Sequence, residues 1–278
     1  MKWKMKKIQA KSAEIMIYGD ISTYESYWDD SAVTPQKFND ELKALGDDVD
    51  DITVRINSNG GSVFAGVAIH SMLKRHKAKI TVYIDGIAAS IASIIAMAGD
   101  EIIMPNGSML MIHNPWTFGM GNAKDFRKLA DDLEEVGGSM SDIYVARTGV
   151  DREELAQMLE DETWMSAATA VEKGFATRLE EDSQPVAASI RDGKAIINGI
   201  EMDLSKFKNA PKLPDEKSSD PIAELIKEIK ALKDQVAAKN IQETTTPEPI
   251  VQPATTAIGR NFDLEYKSLE YYQNQRSC

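Results

Sequence analysis

The chain has 278 residues, 42% of them hydrophobic, with a formal net charge of −12 at neutral pH. That length suits one large domain, or one domain with an appendage, and the acidic balance argues against a nucleic-acid surface as the main business. The single cysteine, Cys278, leaves no disulfide framework and no cysteine-based metal site within one chain, as expected of a reducing cytosol.

The start, "MKWKMKKIQAK", is basic, but no long apolar run follows it. Neither a signal peptide nor a transmembrane helix is expected. "AEIMIYG" reads as a strand, and "TPQKFNDELKAL" as a helix with a Thr cap and Pro at its first position. "DITVRIN" is a β-branched strand, "SNGGS" a tight turn, and "VFAGVAIHSMLKRH" a helix whose cationic end suits its dipole. "KITVYID" is a further strand. It feeds "GIAASIASIIAMAGD", read as a turn at Gly86 followed by a buried helix. "EIIMP" and "SMLMIH" are short strands flanking Asn106-Gly107. A long polar helix from Asn122 to about Thr148 is expected to break or bend near Gly137-Gly138. "SAATAVEKG" is a short capped helix before a last strand, "FATRL". Strands alternating with helices predict an α/β domain with a mainly parallel sheet.

Past residue 185 the character changes. "VAASIRDGKAIINGIEMDL" carries Asp-Gly and Asn-Gly turns between apolar runs, which predicts a small β-hairpin or meander. The organisation read from the chain is a domain over 1–184, a hairpin extension over 185–207, and a tail over 208–278. Within that tail, 208–221 reads as a linker, and Ile222, Leu225, Ile229, Leu232 and Val236 form a heptad seam under three heptads long. "ETTTPEPIVQPATT" has the composition of a disordered segment.

Four places carry chemistry. Ser90 sits in "AASIA", where small neighbours permit a sharp strand-to-helix turn and the helix N-terminus favours negative charge. The competing reading is a plain buried helix start, with Ser93 one turn further in facing the packing. Of the three histidines, His76 ends a cationic helix and His70 lies inside it, whereas His113 closes an apolar strand before Asn114-Pro115. Strand ends are where α/β folds display functional side chains. The Gly-Gly turn in "INSNGGSVFAG" allows close backbone approach to a ligand; its N–H groups suit an oxyanion hole or a phosphate cradle, and no Walker motif accompanies it. Asp161 and Glu162 precede a capped helix, as simple dipole partners often do, and a serine triad also wants such a carboxylate.

Taken in order, "INSNGG", "GIAASIASIIAMAG", "MIHNP" and "ETWMSAATAVEKGFA" resemble the proteolytic subunit of the Clp protease, peptidase family S14, over roughly residues 14–180. The form of "HNPWTFGMGNAKDF" is most similar to phage and prophage members associated with head maturation. The resemblance implies a Clp/crotonase-type spiral of βαβ units, a serine endopeptidase without cofactor or metal, and a homo-oligomer of stacked, heptameric rings acting on protein or peptide substrates. Carried over residue by residue, it gives Ser90 as nucleophile, His113 as general base, and the N–H groups of Gly61 and Ile91 as the oxyanion hole. Glu162 falls where the family usually has Asp, and Asp161 is the less favoured acid. In an extended segment these two neighbours point to opposite faces, so only one reaches the imidazole. The N-terminal segment does not match the loops that cellular members present to an AAA+ unfoldase. Two rival readings stay open: a crotonase-type acyl-CoA enzyme, and a catalytically silent scaffold or shell protein.

Overall fold

The computed structural model describes residues 3–9, 11–24, 33–46, 48–180 and 186–214. The chain divides into two units, Met1–Ser218 and Ser219–Cys278, and every described residue belongs to the first. The heptad seam and the disordered segment expected above therefore lie outside the described residues.

The basic start forms a strand, β1 (Trp3–Gln9), which pairs antiparallel with β2 (Ser12–Tyr18). This strand is not legible in the sequence, because its lysines mask the alternation. Lys6 pairs with Glu14 and Lys7 with Asp48, so those charges are met by neighbours on the surface. After α1 (Pro35–Leu45), capped by Thr34, strand β3 (Asp51–Ser58) leads through the Gly-Gly turn into α2 (Val63–Arg75). Strand β4 (Lys79–Ala89) then runs straight through Gly86, and helix α3 (Ile91–Ala96) starts only after Ser90. The expected turn at Gly86 is thus displaced by four residues. The reason is a register shift between β3 and β4: Ile56 faces Ile84, but Ser58 faces Ala88. The buried Asn57 side chain spans this bulge, accepting from the Ile87 N–H at 3.1 Å. β4 therefore bends and continues where composition suggested a stop.

The two halves of β4 pair with different strands. Its first half runs parallel to β5 (Glu101–Met104), its second half parallel to β6 (Met109–Ile112). Helix α4 (Ala123–Thr148) is uninterrupted, contrary to the break expected at Gly137-Gly138. Asn122 and Asp125 close a capping box at its start, and Gly137 lies against Pro115, 3.5 Å from where a Cβ would stand. Helix α5 (Arg152–Glu160), strand β7 (Thr163–Ser166), helix α6 (Ala167–Glu172) and the two-residue strand β8 (Arg178–Leu179) complete the wound domain. β7 is antiparallel to β6, and β8 extends the sheet beyond β5, giving the order β1-β2-β3-β4-β5-β8. The expected α/β spiral with a mainly parallel sheet is the fold that forms.

Strands β9 (Ala188–Arg191), β10 (Lys194–Ile197) and β11 (Ile200–Met202) make a separate antiparallel sheet. Its apolar face meets the second half of β4 and β6: Ala195, Ile197, Met202, Leu204 and Phe207 bury against Ile87, Ala89 and Met111. The Asn57 side chain donates to the Ile197 carbonyl at 3.0 Å, tying this sheet to the bulge. Among the described residues, no helix is long and apolar enough to cross a membrane.

Candidate active site

The bend of β4 carries Ser90 to the junction with α3. Ser90 has φ 55° and ψ −130°, a conformation that L-residues rarely adopt. Its N–H donates to the Met111 carbonyl at 3.0 Å, so β6 holds the residue in place. Gly60 backs the same turn: a Cβ there would stand 2.8 Å from Ser90 Cβ and 2.7 Å from the Ala89 carbonyl oxygen. Only a glycine-first, small-residue setting lets the strand and the Gly-Gly turn approach so closely. Ser93, by contrast, is fully buried. Its hydroxyl lies 2.5 Å from the Ser90 carbonyl oxygen and 2.7 Å from the Tyr144 hydroxyl on α4. It is a packing group that joins α3 to α4.

β6 ends at Ile112 and delivers His113 beside Ser90, with Nε2 and Oγ 2.8 Å apart. Asn114 then turns away, its N–H donating to the Leu159 carbonyl at the end of α5. Burial pulls the His113 imidazole below its ordinary range; the Glu162 charge opposes this and Lys206 adds to it. The lowered pKa favours the neutral ring at neutral pH, and in its Nδ1–H tautomer Nε2 accepts the serine proton.

Asp161 and Glu162 do not lie in an extended segment, as the sequence suggested. Asp161 is helical (φ −76°) as the cap of α5, and Glu162 is left-handed (φ 49°). This turn swings Glu162 inward, where it is buried, while the Asp161 carboxylate stays outside and accepts from Gln157. Glu162 Oε2 stands 3.9 Å from His113 Nδ1, in ion-pair range but beyond a hydrogen bond. Nothing in the sequence marks what else holds this carboxylate. The Lys208 N–H donates to Oε2 at 3.1 Å and the Asn209 N–H to Oε1 at 2.7 Å, both from the segment after β11. Phe207 sets its ring edge-on to both His113 and Trp164, with centroids 5.7 and 5.6 Å away.

Gly61 follows Gly60 in the turn and has φ 145°; a Cβ there would come within 2.0 Å of the Ile21 carbonyl oxygen. Ile91 is the first residue of α3, so its N–H has no partner within the helix. A cleft of about 350 Å³ is lined by Gly61, Ser62, Ser90, His113, Lys206 and Phe207, among others. A second hollow, of about 520 Å³, continues past His113 to Trp116, Leu159 and Glu162. Among the described residues, no cluster of three or more His, Cys, Asp or Glu side chains could hold a metal ion. The arrangement pairs a half-buried hydroxyl on a strained turn with a neutral imidazole, a buried carboxylate behind it, and glycine backbone in front. That constellation can perform acyl transfer.

A relative from Chlamydia trachomatis serovar D, "ATP-dependent Clp protease proteolytic subunit 1", is 35% identical over 125 residues, and its serovar A counterpart matches equally. Each alignment covers 43% of this chain and 65% of the relative, so the chain spans less than two thirds of the length of the curated relatives it matches. The family profile described as Clp protease matches residues 8–182, from the hairpin of β1 and β2 to just beyond β8. With more than half of its length inside that match, this chain belongs to the Clp protease family.

Proposed function

We propose that the protein is a serine endopeptidase with Ser90 as nucleophile, His113 as general base and Glu162 as the orienting acid. The observation that carries this reading is the 2.8 Å approach of His113 Nε2 to Ser90 Oγ on a strained strand-to-helix turn. Ser90 Oγ attacks the scissile carbonyl carbon while its proton passes to Nε2. The Gly61 and Ile91 N–H groups donate to the developing oxyanion. Collapse of the tetrahedral intermediate breaks the C–N bond, and the imidazolium returns the proton to the leaving amine. Water, deprotonated by the same imidazole, then hydrolyses the acyl-enzyme and frees Ser90. A crotonase-type enzyme would not need a serine and histidine in this contact.

The protein acts as a homo-oligomer of stacked, heptameric rings, with α4 at the ring-to-ring contact. Support comes from family membership and from the exposed first half of that helix, with Phe126, and the exposed Trp116 and Phe118 beside it. Its substrates are protein segments, and the form of "HNPWTFGMGNAKDF" supports phage scaffold or capsid segments cleaved during head maturation, in the host cytoplasm or the prohead. Coexpression with the neighbouring capsid gene product, followed by mass spectrometry of fragments, tests this. Defined fragments that vanish with Ser90→Ala are expected. An intact capsid protein, alongside cleavage of casein by the same preparation, would keep the peptidase and remove head maturation.

A further inference from the structure

Glu162 has three side-chain torsions, so a buried carboxylate at its end needs external constraint to face one imidazole. His113 does not supply it, because the gap of 3.9 Å is too long for a hydrogen bond. Two main-chain N–H groups do. Lys208 N–H binds Oε2 at 3.1 Å and Asn209 N–H binds Oε1 at 2.7 Å. One donor on each oxygen fixes the plane of the carboxylate as well as its position. The Trp164 indole N–H approaches Oε1 at 3.5 Å from β7, a weaker third contact.

The segment bearing these donors is itself anchored. Phe207 is buried between His113 and Trp164, and the Asn209 side chain donates to the Asp161 carbonyl at 2.7 Å. Further along, the Pro214 carbonyl accepts from the Ile190 N–H of β9 at 2.8 Å. All of this lies beyond residue 182, where the family match ends. The extension, outside the family match, thus reaches back to the back wall of the site.

From this geometry we infer that Lys208 and Asn209 are positioning residues, whose main-chain N–H groups hold the carboxylate that faces His113. The inference rests on the peptidase reading above. It makes the extension a working part of the site as well as a cover. Without the Asn209 donor, the Glu162 carboxylate loses its shortest bond and swings from the imidazole towards the open hollow. His113 then loses the negative neighbour that raises its pKa. Its neutral form persists to lower pH, and the imidazolium formed during attack is less well stabilised.

The test replaces the amide N–H at residue 209 by an ester oxygen in the full-length protein, keeping the Asn side chain. Asn209→Pro is a second route to the same deletion, and Asn209→Ala retains the N–H. The readout is the rate at which a fluorophosphonate labels the protein between pH 5 and 9, which needs no knowledge of the substrate. The ester is expected to label about 10-fold more slowly, with the acid limb moved down by about 0.5 pH unit. Asn209→Ala keeps the N–H but loses the anchor on the Asp161 carbonyl, and is expected to move the acid limb by less than the ester does. A correctly folded ester variant with an unshifted acid limb would overturn the inference and leave the peptidase reading intact. Failure of the wild-type protein to label at any pH would overturn both.

Discussion

Ser90 holds a backbone conformation that costs a non-glycine residue about 1–3 kcal/mol, and such strain persists only where the surroundings over-determine it. Here the Met111 carbonyl, the close approach of Gly60 and the start of α3 do so. The result exposes one hydroxyl to His113 and leaves the other, Ser93, bonded inside. The same scale separates the two acids. Glu162→Gln removes the charge behind the imidazole and leaves one of the two strap N–H groups facing an amide that cannot accept it. Peptide turnover should fall by ~10²–10⁴-fold with little change in KM, and the acid limb should move to lower pH, because the Glu162 charge raises the His113 pKa. Asp161→Asn touches only an exposed carboxylate and should change turnover less than ~3-fold. Steady-state kinetics on both variants decide the matter, and a severe Asp161→Asn defect beside a near-normal Glu162→Gln enzyme would reverse the assignment.

At the scale of elements, the Gly60-Gly61 turn and three further segments of the wound domain meet one from outside the family match. β4 with α3 gives the serine, β6 the histidine, the α5–β7 turn the carboxylate, and the stretch after β11 the clamp on it. The first three were legible because their chemistry needs residue types that stand out locally: a serine among alanines, a histidine closing an apolar strand, a carboxylate before a capped helix. The clamp was not, because main-chain N–H donors leave no mark in the sequence and Lys208-Asn209 reads as linker. Nor was the passage of β4 through Gly86, since the Asn57 contact that sustains it comes from another strand. The uninterrupted α4 is a case of length and caps outweighing two glycines, each of which costs only about 1 kcal/mol. Phe207 makes the clamp's dependence on packing testable. Phe207→Ala empties a buried site shared by β4, β6 and the extension, and should lower stability by about 3 kcal/mol. Denaturant titration should show that loss together with slower serine labelling. Normal labelling at wild-type stability would mean the extension does not bear on the site.

For the molecule as a whole, family membership, fold and site geometry support the proposed acyl transfer, while stability has its own pH signature. His70, on α2, is pushed down to about 4, chiefly by burial and secondarily by Lys74. A depressed histidine contributes stability that is fully present above its unfolded pKa near 6.5 and is lost as pH falls towards 4. The loss over that window is about 2–3 kcal/mol. His70→Leu should flatten this part of the pH–stability curve relative to the wild type, as measured by denaturant midpoints at pH 7.5 and 4.5; parallel curves would contradict it. Peptide mapping of the fluorophosphonate-labelled protein tests most directly the proposal that Ser90, activated by His113, is the nucleophile. A single adduct on the peptide bearing Ser90 is predicted, lost in Ser90→Ala and in His113→Ala and retained in Ser93→Ala. An adduct that survives Ser90→Ala, or that maps to Ser93, would contradict it.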